Sequence, residues 1–136
     1  RQMCIRDRLN ALMTFGALSA AASVVLGAFG AHALKGKLTA GSLATFETAV
    51  QYQMTHSLGL LLVGVLMLVL GVKTPWLTAA WSFAVGICLF SGSLYGLALL
   101  GWRWLGPVTP VGGALFILGW LALAYGLLTA VTRDSA

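Results

Sequence analysis

Charge is scarce along this chain, which has eight Lys or Arg and three Asp or Glu among its 136 residues. The charged residues are also grouped, so that four long stretches contain none. A charged side chain at the centre of a bilayer is costly, so uncharged stretches mark the segments that lipid accepts. A soluble domain cannot bury four such segments, and the scarcity of charge therefore excludes an ordinary soluble protein. The uncharged stretches are residues 9–34, 48–72, 74–102 and 104–132.

Alternation between polar and apolar residues is missing from these stretches, which excludes the strands of a membrane β-barrel. Lipid offers the backbone no hydrogen bonds, so a helix in each stretch is the remaining solution. Each stretch exceeds the roughly 20 residues that cross the hydrocarbon core, and the chain is 60% hydrophobic with a mean hydropathy of +0.95. The sequence therefore predicts an all-α integral membrane bundle of four transmembrane helices. The predicted spans are residues 11–34, 48–71, 75–101 and 108–131.

Proline is rare as well, and two of the three prolines directly follow a threonine. Thr is a favoured N-cap and Pro is favoured at the first helical position. Thr74-Pro75 and Thr109-Pro110 therefore predict the starts of the third and fourth helices. Residues 35–46 form the one predicted connection with room for irregular structure.

The first eight residues, RQMCIRDR, carry the densest charge and resemble a translated sequencing-library adapter, with a genuine basic tail as the alternative. We exclude residues 1–8 from the predicted fold for this reason. The rest of the chain is predicted to form a single four-helix transmembrane domain over residues 9–132. A short polar tail over residues 133–136 follows it.

Basic residues near the span ends divide almost equally between the two membrane surfaces once the adapter-like segment is set aside. Lys73 and Arg133 fall on one side, and Lys35, Lys37 and Arg103 fall on the other. The positive-inside rule needs a larger excess, so the sequence predicts no orientation. A basic stripe and a cluster of stacking aromatics are both absent, and nucleic acid is therefore not a predicted partner.

Cysteine is limited to Cys4, within the adapter-like segment, and Cys88, in the middle of the third predicted helix. Two isolated cysteines exclude a disulfide framework and a CxxC metal or redox motif, and we interpret Cys88 as a buried apolar thiol. A GxSxG elbow, a P-loop and a dinucleotide fingerprint are also missing. The sequence therefore predicts no enzyme activity and no cofactor.

Glycine, in contrast, is abundant, with 17 residues. Small residues let membrane helices approach one another closely. Three glycines recur every seven residues on the fourth helix with an alanine on the same face, and the third helix has a GxxxG pair. We interpret these residues as the bundle interface, with a homo-oligomer contact as the alternative. The candidate packing residues are Gly92, Gly96, Gly112, Gly119, Ala122 and Gly126.

Polar residues within the spans are the candidate functional residues, because intramembrane polar groups are costly. Most lie at one level, where the first helix ends and the second begins. His32 is therefore predicted to lie at the depth of the polar residues that open the second helix, close enough to bond one of them. The candidate set is His32, Glu47, Gln51, Tyr52, Gln53, His56, Ser91 and Tyr95.

Such a cluster has several chemical interpretations. Glu, His and Tyr side chains can relay protons, hold a metal or orient a polar head group. The alternative is structural, since Glu47 near a helix start complements the macrodipole and the other polar groups bond between helices. The histidines lack a tight spacing such as HExxH, so no metal site is predicted. For Ser91 and Tyr95, hydroxyl bonds to a neighbouring helix are a sufficient explanation.

Four segments in order, GAFGAHALKGKL, FETAVQYQMTHSLGLLL, FSGSLYGLALLG and LGPVTPVGGALFILGWLALA, resemble the domain-of-unknown-function family 423. The resemblance covers residues 9–132. It implies a small multi-pass protein of the bacterial inner membrane with four helices. The chain departs from the family pattern at Thr55, where a Tyr is expected beside His56. The resemblance implies no catalytic residue, because none is established for the family.

Two classes of function follow from these observations. The first is a non-enzymatic membrane scaffold or accessory component, with the lipid bilayer and a homo-oligomer or membrane-protein partner around it. The alternative is a small proton-coupled or polar-ligand carrier that acts as an oligomer. In the carrier, the path is lined by His32, Glu47, Tyr52 and His56. An integral membrane enzyme is the third and least supported class.

Overall fold

The structure is a computed structural model that describes residues 2–134, and all its regular elements in that range are helical. Four helical segments are long and apolar enough to cross a membrane, which confirms the predicted fold class. These four spans are Met3–Leu34, Ala40–Leu70, Thr74–Leu100 and Arg103–Arg133. The α-helices are α1 (Gln2–Phe29), α2 (Ala40–Leu70), α3 (Thr74–Gly86), α4 (Gly92–Leu100) and α5 (Val108–Asp134).

Three spans are not purely α-helical, since the fourth opens with a short 3-10 helix over Arg103–Leu105 and the first and third contain π-helical turns. The first span ends in a π-helical turn over Gly30–Leu34, and the third is divided by a second π-helical turn over Ile87–Ser91. Each such turn shifts the register of the side chains that follow it, because a π turn holds more residues than an α turn. The α3 and α4 segments therefore present different faces to their neighbours.

The second span begins at Ala40, so the irregular connection is shorter than the predicted residues 35–46. Thr39 has extended backbone angles, and its hydroxyl oxygen accepts a hydrogen bond from the Ser42 N–H at 3.2 Å. This is the geometry of an N-cap, which satisfies one of the free amides at a helix start. The α2 helix thus starts directly after Thr39, the residue whose side chain caps it.

The two Thr-Pro pairs lie further into their helices than predicted, by one position in α3 and by two in α5. Lys73 is the N-cap of α3, so Thr74 is already helical. Likewise α5 begins at Val108, and the Thr109 hydroxyl lies 2.6 Å from the Ser93 hydroxyl. Both prolines remain in the first turn, where the amide that Pro lacks has no helical partner.

The second and third spans form the centre of the bundle. The first span packs against α2, α2 packs against both halves of the third span, and α5 packs mainly against α3. In the most apolar windows, 44% of the second span is buried but only 17% of the first and 22% of the fourth. The outer two spans therefore expose most of their surface to lipid.

Glycines of the fourth span allow the aromatic rings of the third span to approach. A Cβ atom on Gly119 would lie 2.5 Å from the ring of Phe83, and one on Gly126 would lie 2.5 Å from the ring of Trp76. Gly112 faces the backbone of the third span in the same way. Phe83 is fully buried and Trp76 is 1% exposed. The seven-residue stripe thus lies along the contact between the third and fourth spans, with the partly buried Ala122 packed against the same core.

The GxxxG pair of the third span divides between two environments. A Cβ atom on Gly96 would meet the side chain of Leu105, so Gly96 packs against the connection to the fourth span. Gly92 is exposed, and a Cβ atom there would have no neighbour within 4 Å. Gly92 therefore does not pack against another helix within residues 2–134.

Cys88 is exposed, so the interpretation of a buried thiol was wrong. Trp81 and Val85 precede it at intervals of seven and three residues and are both exposed. Residues at these intervals share a helix face. Cys88 thus continues the outward face of the third span.

Candidate functional site

His32 and Glu47, the candidate residues nearest the first connection, lie apart from the rest of the candidate set. His32 is exposed, because Gly30 and Leu34 are the buried positions of its π-helical turn. Glu47 is also exposed, since the neighbouring Phe46 occupies the inward face of α2 with no exposed surface. Within residues 2–134, no hydrogen bond joins His32 to the polar residues of α2, contrary to the prediction. Gln51, one turn after Glu47, is exposed as well.

A buried polar network instead joins the first and second spans. The amide nitrogen of Gln53 donates to the backbone carbonyl of Ser19 at 3.1 Å and to its hydroxyl at 3.2 Å. The Ser57 hydroxyl lies 2.7 Å from the Ser19 hydroxyl and 2.6 Å from the carbonyl of Gln53. All three side chains are buried. The network therefore satisfies its own members away from water, as buried polar groups require.

The third span bonds to the second through two hydroxyl groups, and one of them joins this network. The Tyr95 hydroxyl donates to the side-chain oxygen of Gln53 at 2.5 Å. One turn earlier, the Ser91 hydroxyl donates to the backbone carbonyl of Ala49 at 2.8 Å. Hydrogen bonds of this kind between membrane helices contribute about 0.6 kcal/mol each on average. Gln53 is thus the residue through which three spans are linked.

His56 lies on the same helix but belongs to a separate group of side chains. Its Nδ1 is 2.7 Å from the backbone carbonyl of Tyr52, and the indole N–H of Trp120 donates to its Nε2 at 3.0 Å. A carbonyl can only accept and an indole N–H can only donate, so His56 carries its proton on Nδ1. A second proton on Nε2 would face the Trp120 donor. Both hydrogen bonds therefore select the neutral ring in one tautomer.

Aromatic rings surround His56 on several sides. The ring of Phe116 stacks on it, with centroids 3.5 Å apart and planes 8° apart. Phe83 meets it edge-on at 5.6 Å, and Tyr52 stacks at 5.8 Å. His56 is itself buried. This apolar surrounding and the two hydrogen bonds hold the imidazole in place.

A recess with a volume of about 690 Å³ lies beside His56, between the second and fourth spans. Its mouth carries exposed groups, since Tyr52 is 41% exposed and Trp120 is 39% exposed. The Thr55 hydroxyl at this mouth donates to the carbonyl of Gln51 at 2.9 Å. The lining residues are Gln51, Tyr52, Thr55, His56, Phe90, Pro110, Gly113, Ala114, Phe116, Ile117 and Trp120.

The candidate set therefore separates into three groups. Gln53, Ser91 and Tyr95 belong to the network between helices, whereas Tyr52, His56 and Gln51 line the recess. His32 and Glu47 belong to neither group. The described residues contain no group of three His, Cys, Asp or Glu side chains placed to hold a metal ion.

Sequence reasoning missed three residues that the structure places at these sites. Ser19 and Ser57 are small and lie within long apolar runs, although any buried hydroxyl there needs a partner. Trp120 resembled an ordinary aromatic residue of a membrane helix, although an indole N–H that is covered by its neighbours usually finds an acceptor. The need for a partner was readable from the sequence, but the identity of each partner depends on how the helices pack.

These features define a four-span helical membrane protein whose buried polar side chains bond its helices together. The chain matches the family described as "Protein of unknown function (DUF423)" over residues 26–113, and it belongs to that family.

Relatives in several bacteria extend the match over most of the chain. A UPF0382 membrane protein of Staphylococcus epidermidis is 46% identical over 120 residues, which cover 88% of this chain and 97% of the relative. The UPF0382 membrane protein YwdK of Bacillus subtilis is 43% identical over 115 residues, covering 85% and 94%. No solved structure matches the chain. The relatives thus confirm the resemblance that the four segments indicated.

Proposed function

We propose that this protein is a non-enzymatic scaffold or accessory component of the bacterial inner membrane. The observation that supports the proposal is the pairing of its buried polar side chains. Gln53 is bonded to Ser19 and Tyr95, and Ser57 to Ser19. Groups that are bonded to one another in this way hold helices together and have little capacity left to bind a passing solute.

The distribution of titratable residues also favours the scaffold over a proton-coupled carrier. A proton path needs titratable groups that lie within reach of one another. His32 and Glu47 are exposed and do not line the recess that contains His56. Both ring nitrogens of His56 are already bonded, to Tyr52 and Trp120. The four residues named for a carrier path therefore do not form one continuous line.

The outer helices provide the surface that such a component would use. The first and fourth spans are the least buried, and Leu18, Val25, Leu121 and Leu128 are all more than 60% exposed on them. A membrane helix of a second copy or of another protein can pack on such a surface. Packing on either outer helix leaves the polar network undisturbed.

A polar-ligand carrier that acts as an oligomer is the second candidate, and the recess beside His56 is the observation that favours it. Its volume of about 690 Å³ is within the range of small-molecule sites. Aromatic walls with the polar groups of Gln51, Tyr52 and Thr55 at the mouth suit a ligand with an apolar body and a polar end.

Proton flux into vesicles tests the scaffold against a proton-coupled carrier. The full chain is reconstituted in liposomes with a pH-sensitive dye, together with Glu47→Gln and His56→Leu, which remove the carboxylate and the imidazole of α2. For a scaffold, wild-type and variant vesicles acidify at the rate of protein-free vesicles. Flux in the wild type that either variant abolishes, while its helical circular dichroism is retained, would contradict the proposal.

Native mass spectrometry of the protein, extracted gently from its own membrane, tests the positive side of the proposal. The expected result is a defined complex, with a second copy or with another membrane protein, that survives the Glu47→Gln substitution. Thr45→Ala is a matched control, because Thr45 is on the same helix and bonds only the carbonyl of Gly41. A monomer that retains one stoichiometric small molecule, and loses it in His56→Leu, would support the carrier instead.

A further inference from the structure

A second cavity lies between the start of the third span and the end of the fourth, away from the recess beside His56. Its volume is about 750 Å³, which is within the range of small-molecule sites. The residues that line it are Lys73, Thr74, Pro75, Trp76, Thr78, Leu118, Leu121, Ala122, Tyr125, Gly126, Thr129, Ala130 and Arg133. None of them belongs to the polar network or to the group around His56.

The cavity has positive charge at one end. Lys73 is the N-cap of α3 and Arg133 lies in the last turn of α5, and both are exposed. The third and fourth spans run in opposite directions, so the start of one and the end of the other lie at the same membrane surface. None of the described residues that line the cavity is acidic. An anion at this surface therefore meets two cations and no carboxylate of the described lining residues.

The other end of the cavity is apolar and lies deeper in the membrane. Leu118 and Leu121 are four and three turns of α5 away from Arg133, so they line the part nearer the bilayer centre. Thr74 and Thr129 lie between these two ends and add hydroxyl groups. From the membrane surface inward, the cavity thus offers positive charge, then hydroxyl groups, then an apolar wall. This order matches the order of groups in a phospholipid.

Trp76 forms part of the wall of this cavity. It is 1% exposed, and its indole N–H is a buried donor with no hydrogen-bond partner among the described residues. The protein's own side chains thus leave one donor unused in this wall. Because the nitrogen is covered, an oxygen from a ligand reaches it only after a small movement of the neighbouring side chains.

We propose that this cavity binds one anionic phospholipid. Its phosphate lies between Lys73 and Arg133, and one acyl chain follows the wall that includes Leu118 and Leu121. Basic pockets between transmembrane helices at a membrane surface bind anionic head groups in this manner. The apolar wall favours a lipid over a free anion, since a soluble anion gains nothing from it. The site goes beyond the scaffold function and shares Leu121 with the outer surface of the fourth span.

Native mass spectrometry of the delipidated full chain tests the proposal. The protein is titrated with phosphatidylglycerol and with phosphatidylcholine of the same acyl chains. We expect one phosphatidylglycerol to bind about tenfold more tightly than phosphatidylcholine. Lys73→Gln with Arg133→Gln should remove most of this preference, because each basic residue at the surface contributes about fivefold and screening reduces the product.

The matched control removes the same charge from the other membrane surface. Lys35 and Lys37 lie in the connection between the first two spans, are exposed, and line no part of this cavity. Lys35→Gln with Lys37→Gln should keep the preference for phosphatidylglycerol. Equal loss in both double variants would overturn the proposal, since net charge alone would then explain the binding. An unchanged preference after Lys73→Gln with Arg133→Gln would overturn it as well.

A third variant separates binding in the cavity from binding on the basic surface. Ala130→Trp fills part of the cavity and leaves both cations in place. We expect it to lose the bound phosphatidylglycerol while its far-ultraviolet circular dichroism matches the wild type. Wild-type binding by this folded variant would overturn the proposal. So would complete displacement of the lipid by an excess of inorganic phosphate, because the apolar wall would then contribute nothing.

Discussion

Gly119 provides the sharpest test of how the third and fourth spans pack. A Cβ atom at this position would lie 2.5 Å from Cε1 and 2.7 Å from Cδ1 of Phe83. Phe83 is fully buried, so its ring cannot move into empty space. Added atoms in a tightly packed core cost about 1–3 kcal/mol. Gly119→Ala is therefore expected to strain this contact.

Gly113 is a matched control on the same helix. A Cβ atom there would lie 3.8 Å from the ring of Phe90, which is an ordinary van der Waals contact. Both substitutions gain up to about 1 kcal/mol of helix propensity from Gly to Ala. That gain cancels when the two variants are compared. The expected difference in the free energy of unfolding is thus about 1–3 kcal/mol, with Gly119→Ala the less stable.

Unfolding by sodium dodecyl sulfate in mixed micelles, followed by far-ultraviolet circular dichroism, gives the two free energies under one condition. Gly113→Ala is expected to be neutral or up to about 1 kcal/mol more stable than the wild type. Equal stabilities for the two variants, within about 0.5 kcal/mol, would refute the reasoning. The ring of Phe83 would then not be confined by the fourth span.

Two further predictions concern the polar groups. Tyr95→Phe removes the hydroxyl that donates to Gln53 and is expected to lower the free energy of unfolding by about 0.6 kcal/mol, up to about 1.7 kcal/mol. The control Tyr125→Phe, at a 62% exposed position, should lower it by less. The reverse order in the same unfolding assay would contradict a stabilising role for the bond between Tyr95 and Gln53. Trp120→Phe removes the donor to Nε2 of His56, so nitrogen NMR should show Nδ1-protonated His56 in the wild type and a mixture of tautomers in the variant. The same spectrum in both proteins would show that Trp120 does not select the tautomer.

The fold could be predicted from the sequence because the bilayer imposes a strict rule on charge. Four uncharged stretches gave four spans, and the structure places a helix along each of them. The exact starts were less predictable. Ala40 begins the second span because Thr39 caps it, a local hydrogen bond that competes with the apolar pattern.

The candidate site was predictable in part. The level of the polar residues on α2 was readable, as was the fact that Tyr52 and His56 share a face. The prediction that His32 bonds this group was wrong, because the π-helical turn over Gly30–Leu34 sets which of its residues face inward. The bond from Trp120 joins residues 64 positions apart, and a single sequence holds no signal for such a pair.

The π-helical turn over Ile87–Ser91 makes the third span sensitive to its length. Before the turn the span packs mainly against α5, whereas Ser91, the last residue of the turn, and Tyr95 after it bond to α2. Removing one residue from the turn would restore a continuous α-helix and rotate the segment that follows by about 100°. Tyr95 would then leave Gln53, although the span would still be long and apolar enough to cross the membrane. Homologues of this chain should therefore tolerate substitutions within the third span far more readily than insertions or deletions.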